Sequence, residues 1–311
     1  MVKKISVMTC IHASVRNAAR FLKIFKKENI DLIILNGDLG DNYKEIKSIL
    51  NLFKKINIKT LVIPGSHEPY KDYYKAIKTI KSNKNIIDCS KIKNIITDNY
   101  NLILFPGSDA IYHTGGFPIA NDAKHKKKRE ITLKKYIKKR FKTVILNDLK
   151  KFVKKDKENI LIMHIPPKFK GLYSIDVANF GTVTKNYLFK IKNKIRLLEK
   201  TDIFPLKMAL KMKSKGLPIK ILTKNVGNEY LKKLIKQLKI RKFVCGHIHE
   251  SGGRSVTLSG RKLKQYKWGK ELFYNTGSVK EGMCGIVYLK NNLAKFKNLR
   301  ISTLSKNYSL K

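Results

Sequence analysis

Residues 4–14, Lys-Ile-Ser-Val-Met-Thr-Cys-Ile-His-Ala-Ser, decide how the rest of the chain is read. The run from Lys4 to Thr9 has the length and apolar content of a β-strand, and it ends on a thiol, Cys10, and an imidazole, His12, two residues apart. Outward from this strand, short apolar runs alternate with helical patterns. The spacing predicts a helix over 15–27, a strand over 31–35, a helix over 43–55 and a strand over 60–63. Such alternation is the mark of βαβ units in a parallel or mixed sheet covered by helices. Apolar runs at 101–105 and 160–163 extend the sheet.

After about residue 240 the strands come closer together, at 242–245, 255–258, 272–274, 286–289 and 294–299, and this predicts an antiparallel meander. Two segments interrupt the pattern. Residues 124–142 carry eleven Lys or Arg against one Glu, with Leu133, Tyr136, Ile137 and Phe141 at helical spacing, as in a basic amphipathic helix. Residues 169–224 are irregular and Lys-rich, with Tyr173, Phe180, Tyr187 and Phe189 interleaved. Both read as insertions, near 110–142 and near 169–224, over one domain that spans 1–311, since no linker or internal repeat divides the chain.

The chain of 311 residues is 42% hydrophobic, enough to bury a sizeable core. Its net charge of +46 would attract polyanions such as nucleic acid. Only nine of the 68 basic residues are arginine, however, and a Lys-, Ile- and Asn-rich composition is also what A/T-rich codons produce. The four cysteines form no C-x-x-C pair, so a disulfide framework is not expected and a reducing cytoplasm is the simplest location. The apolar run at the start is soon interrupted by Cys10, His12 and Arg16, unlike a secretory signal, and no stretch reaches the roughly 18 apolar residues of a membrane span.

The polar residues that stand out all follow apolar runs, which places them in loops at the carboxyl ends of strands, where open α/β sheets build their sites. They are Cys10 and His12, Asp38 and Asp41 in NGDLGD, Ser66 and His67 in PGSHE, His164 in MHIPP, and His247 and His249 in CGHIHE. Five of the seven histidines belong to this set, and only His113 and His125 lie elsewhere. A lone histidine at a strand end is most often a hydrogen-bonded loop residue. Five such elements in one order, each after a strand, point instead to a shared metal site.

In that order the chain resembles the calcineurin-like metallophosphoesterases, whose pattern runs D-x-H, G-D-x-x-D, G-N-H-(D/E), H and G-H-x-H. Here it reads Cys10-Ile11-His12, Gly37-Asp38-Leu39-Gly40-Asp41, Gly65-Ser66-His67-Glu68, His164 and Gly246-His247-Ile248-His249. The resemblance implies an α/β fold of four layers, two mixed β-sheets packed face to face and flanked by helices. It implies two divalent ions, Mn, Fe or Zn, that activate water against a phosphomonoester or phosphodiester. His12 and His249 would hold the first ion, Asp38 would bridge, and His164 and His247 would hold the second. His67 would be the catalytic imidazole, oriented by Asp41. Two close cations lower the pKa of a shared water and clamp phosphate oxygens for in-line attack, and a carboxylate can bridge them where an imidazole cannot.

Seven of nine pattern positions carry the family's residue; Cys10 and Ser66 do not. Cys10 stands where the family has its first aspartate: it is either a thiolate ligand that favours Zn or Fe, or a small apolar filler. Ser66 replaces an asparagine whose carbonyl would meet the second ion; the shorter hydroxyl should weaken that site. Two other readings stay open at this point: a non-catalytic interaction module on the same fold, and a nucleic-acid-binding module that uses the basic insertions.

Overall fold

The computed structural model describes residues 3–109, 115–136, 140–191 and 194–302. In chain order the first elements are β1 (Lys3–Met8), α1 (Val15–Glu28), β2 (Leu32–Asn36), α2 (Tyr43–Lys54), β3 (Lys59–Ile63), α3 (Tyr70–Lys78), β4 (Ile86–Asp88), β5 (Lys93–Ile96) and β6 (Tyr100–Phe105). Then come β7 (Ile119–Ala120), α4 (Ala123–Tyr136), β8 (Val144–Ile145), β9 (Glu158–Met163), β10 (Val177–Val183), β11 (Tyr187–Ile191), β12 (Lys194–Leu198), β13 (Ile203–Pro205), α5 (Leu206–Ser214) and β14 (Ile219–Asn225). The last are α6 (Glu229–Gln237), β15 (Lys242–Cys245), β16 (Ser255–Val256), β17 (Leu272–Asn275), β18 (Met283–Lys290) and β19 (Leu293–Arg300).

Two six-stranded mixed sheets form the centre, ordered β19-β18-β1-β2-β3-β4 and β16-β17-β15-β9-β6-β5. β1 to β4 run parallel in the first, and β6, β9, β15 and β17 run parallel in the second. Alternate residues of each strand face opposite ways, and both faces are covered. Ile5, Val7, Leu32, Ile34 and Leu61 point inward and meet Leu102, Leu104, Ile160, Ile162 and Val244 of the other sheet. Met8, Ile33, Leu35 and Val62 point outward, under Phe21, Phe25, Ile49 and Phe53 of α1 and α2. On the far side Leu161, Met163 and Phe243 lie under Leu231, Leu234 and Ile235 of α6. The result is four layers, helix, sheet, sheet, helix, as the resemblance implies. Among the described residues no helix is long and apolar enough to cross a membrane.

Three expectations need correction. The late strands are not an antiparallel meander, because β15 pairs parallel to both β9 and β17, and only β16 and the β18–β19 hairpin are antiparallel. Their uniformly buried residues suit a central parallel strand, and periodicity does not report strand direction. Residues 169–224 are not irregular: β13, β10 and β14 form an antiparallel sheet, β11 and β12 a hairpin, and α5 packs on the sheet. Gly181 permits that packing, since a Cβ there would collide with the Ala209 Cβ. In the basic insertion, α4 covers only 123–136 and buries Leu133 while Ile131 stays exposed, so it lacks a broad apolar face. His113, Ile137 and the side chain of Tyr136 lie outside what is described.

Candidate metal centre

Every residue of the sequence constellation leaves the carboxyl end of a parallel strand. Cys10 and His12 follow β1, Asp38 and Asp41 follow β2, and Ser66 and His67 follow β3; His164 follows β9, and His247 and His249 follow β15. The two sheets therefore aim their loops at one point. Backbone bonds tie the loops together: Cys10 N–H to Gly37 O (3.1 Å), His12 N–H to Asp38 O (2.8 Å) and Gly246 N–H to His164 O (3.0 Å). Cys10, His12, Asp38 and His247 all adopt positive φ, an unfavourable conformation for residues with a Cβ that clusters at functional sites. Glycine at 37, φ +85°, is required twice over, because a Cβ there would overlap the His164 ring and lie 2.9 Å from Gly65 Cα.

Donor atoms gather in overlapping groups, each within 4.8 Å: Cys10, His12 and His249; Cys10, Asp38 and His164; His12, Asp41 and His67. Asp38 Oδ2 is 3.0 Å from His164 Nε2 and 3.9 Å from His12 Nε2, so one buried carboxylate faces both sides of the cluster. His164 Nε2 is also 3.3 Å from His247 Nδ1, while its Nδ1 is fixed by Asn36 O at 2.9 Å. His67 Nδ1 meets Asp41 Oδ1 at 2.6 Å, and the His67 ring lies edge-on to His12 with centroids 4.7 Å apart. Ser66 donates from its backbone N–H (2.7 Å) and its hydroxyl (2.9 and 3.0 Å) to Asp38, so it anchors the carboxylate.

The electrostatics follow from that packing. Burial would raise the Cys10 thiol, but His12 and His249 outweigh it and bring its pKa down to about 6, which makes a thiolate at neutral pH. Burial would also depress His164, yet Asp38 holds it up at about 10. His247 is driven down to about 3 by burial and by the neighbouring His164 charge, and keeps a lone pair. His249 is held up at about 11 against burial by Cys10 and by Glu281 Oε1, which is 3.0 Å from its Nδ1. A thiolate, a carboxylate and imidazoles within reach of one another are a donor set for borderline-soft divalent cations.

A family model for calcineurin-like phosphoesterases matches residues 3–251. The chain belongs to the calcineurin-like phosphoesterase family. Members use divalent metal ions, and the donor set above fits them. Among solved structures, TT1561 of Thermus thermophilus is similar at 13% identity and TM-score 0.54, covering 96% of this chain and 100% of the other. A dimetal phosphatase from Danio rerio is similar at 9% identity and TM-score 0.50, covering 96% and 99%. At these identities they show a shared fold. No curated protein matches the chain.

Supporting residues of this phosphoesterase site were only partly legible. Glu68 is buried and accepts from Leu39 N–H (2.5 Å) and Gly65 N–H (2.8 Å), pinning two motif loops together. Burial and the Asp38 charge raise its pKa to about 7. Residues 275–278, Asn-Thr-Gly-Ser, follow β17 and brace the site: Asn275 donates to Gly246 O and Ile248 O on either side of His247, and Thr9 donates to Gly277 O. Asn36 and Glu281, which orient His164 and His249, carried no motif signal.

Proposed function

We propose that this chain is a hydrolase of phosphoester bonds that works with two divalent ions. The observation that carries the reading is Asp38, a buried carboxylate whose one oxygen lies toward both His164 and His12. His12, His249 and Cys10 would hold one ion; His164 and His247, with the Ser66 hydroxyl beside them, would hold the other; Asp38 would be shared. Cys10 belongs to two of the donor groups and is a thiolate, which favours the ligand reading over the filler reading and favours Zn or Fe over Mn. The bound ions would supply an activated water and neutralise phosphate oxygens.

The chain's own groups do the rest. Asp41 fixes the His67 tautomer through Nδ1, so proton transfer to the leaving alkoxide runs through Nε2. Glu281 and the Asn36 carbonyl hold two imidazoles in register, as outer partners of metal ligands do. Metal titration with p-nitrophenyl phosphate and its diester analogue tests this. Turnover that appears with added metal and vanishes with chelator is expected. No turnover on either substrate with any of the three metals, at full metal occupancy, would favour the interaction-module reading instead.

A further inference from the structure

On the outer face of α6, the segment 168–170, the helix and the 258–259 turn line a pocket of about 330 Å³. Five lysines line it, Lys168, Lys170, Lys232, Lys233 and Lys236, against a single carboxylate, Glu229. Lys168 takes that carboxylate at 2.8 Å. Lys232 is half-buried: its ammonium sits 3.2 Å from the centre of the Phe169 ring and donates to Leu258 O at 2.7 Å. Among the described residues it has no carboxylate within ion-pair distance. The nearby acids are engaged elsewhere, Asp176 by the Phe169 and Gly227 N–H groups and by Ser174 and Asn225, and Glu271 by the Leu258 N–H.

This arrangement is unfavourable by itself. Half-burying an ammonium without a counter-ion costs free energy, and Lys236, one turn along the helix, adds like-charge repulsion. Both effects appear in Lys232, whose pKa is lowered to about 8 by burial and then by Lys236. Compositional bias explains many lysines on a surface; it does not explain one held over a ring inside a concave pocket with others converging on it. We propose that this pocket binds the linked phosphate groups of a polyphosphate, with Lys232 at its base and Lys233 and Lys236 at its mouth. Three ammonium groups with several free donors match the multiple oxygens of two or more phosphates better than a single small anion. The pocket shares no residue with the metal centre, and the inference does not depend on hydrolytic activity.

Acetylation footprinting of the full chain, read lysine by lysine by mass spectrometry, tests it with inorganic tripolyphosphate, orthophosphate and ATP. Near-saturating tripolyphosphate should slow labelling of Lys232, Lys233 and Lys236 about tenfold, by mass action. It should leave Lys23, Lys26 and Lys27, three exposed lysines on α1, unaffected. ATP protection equal to tripolyphosphate would show that the phosphates alone are read; stronger ATP protection would add a contact to the nucleoside. Lys232→Met, which keeps the length of the side chain, should fold normally and abolish protection at Lys233 and Lys236. Equal protection of the α1 lysines, equal protection by orthophosphate, or protection that survives Lys232→Met would overturn the proposal.

Discussion

Gly37→Ala separates a built site from a coincidental gathering of polar side chains. The added Cβ would overlap the His164 imidazole, 2.7 Å from Cγ, and sit 2.9 Å from Gly65 Cα. To regain van der Waals contact the ring must retreat by roughly 1 Å. That movement breaks the 2.9 Å bond from Nδ1 to Asn36 O and takes Nε2 out of line with Asp38. The left-handed backbone at φ +85° adds about 1–2 kcal/mol for a residue with a Cβ. Overpacking adds about 1–3 kcal/mol and the lost hydrogen bond about 1 kcal/mol, for a total of about 3–6 kcal/mol. Urea denaturation of the metal-free chain would read the stability, and metal analysis of the purified variant would read the site. The expected result is a loss of unfolding free energy of that size, with loss of one ion per chain. A shift under about 1 kcal/mol with unchanged metal content would refute the packing argument.

Cys10→Asp should preserve metal binding and move preference from Zn or Fe toward Mn, because a hard oxygen replaces a thiolate; competition titrations would show it, and an unchanged preference would mean that Cys10 does not ligate. His164, held at about 10 by Asp38, carries a proton that an incoming ion must displace, so apparent metal affinity should rise by up to about tenfold per pH unit between about pH 7 and 9. The sign is that of a raised imidazole: in metal-free protein the pair's stabilisation is full below 6.5 and lost as pH climbs to about 10, whereas a pH-independent affinity would contradict the pairing. Far from the site, Lys242 is buried and 2.8 Å from Glu158. Glu158→Gln should therefore destabilise by about 3–5 kcal/mol and Lys242→Met by far less, as paired denaturation curves would show.

The first half of the fold was legible because its chemistry is local. Residues 15–27 and 43–55 repeat apolar side chains at helical spacing, and the helices end within one residue of those bounds. What was not legible depends on pairing across distance. β15 and β17 look alike whether parallel or antiparallel, and the sheet of β10, β13 and β14 hides behind lysines because its own core is small, with Val183, Leu198, Ala209 and Ile219 buried among the described residues. α6 passed without notice although Asn228 caps it and Leu231, Leu234 and Ile235 recur at helical spacing. At the metal centre the pattern residues were visible by type and order. Glu281 was not, since its partner His249 lies thirty-two positions away and only the fold joins them.

If the proposed function holds, His67 and the surrounding donors form a working hydrolytic centre. Its most direct test is steady-state hydrolysis of bis(p-nitrophenyl) phosphate by metal-loaded protein, beside His67→Ala at equal metal content. Turnover is expected in the parent chain, with a loss of about 10²–10⁴-fold in kcat on removing the imidazole and metal occupancy unchanged. Parent and variant hydrolysing the diester at the same metal-dependent rate would contradict it.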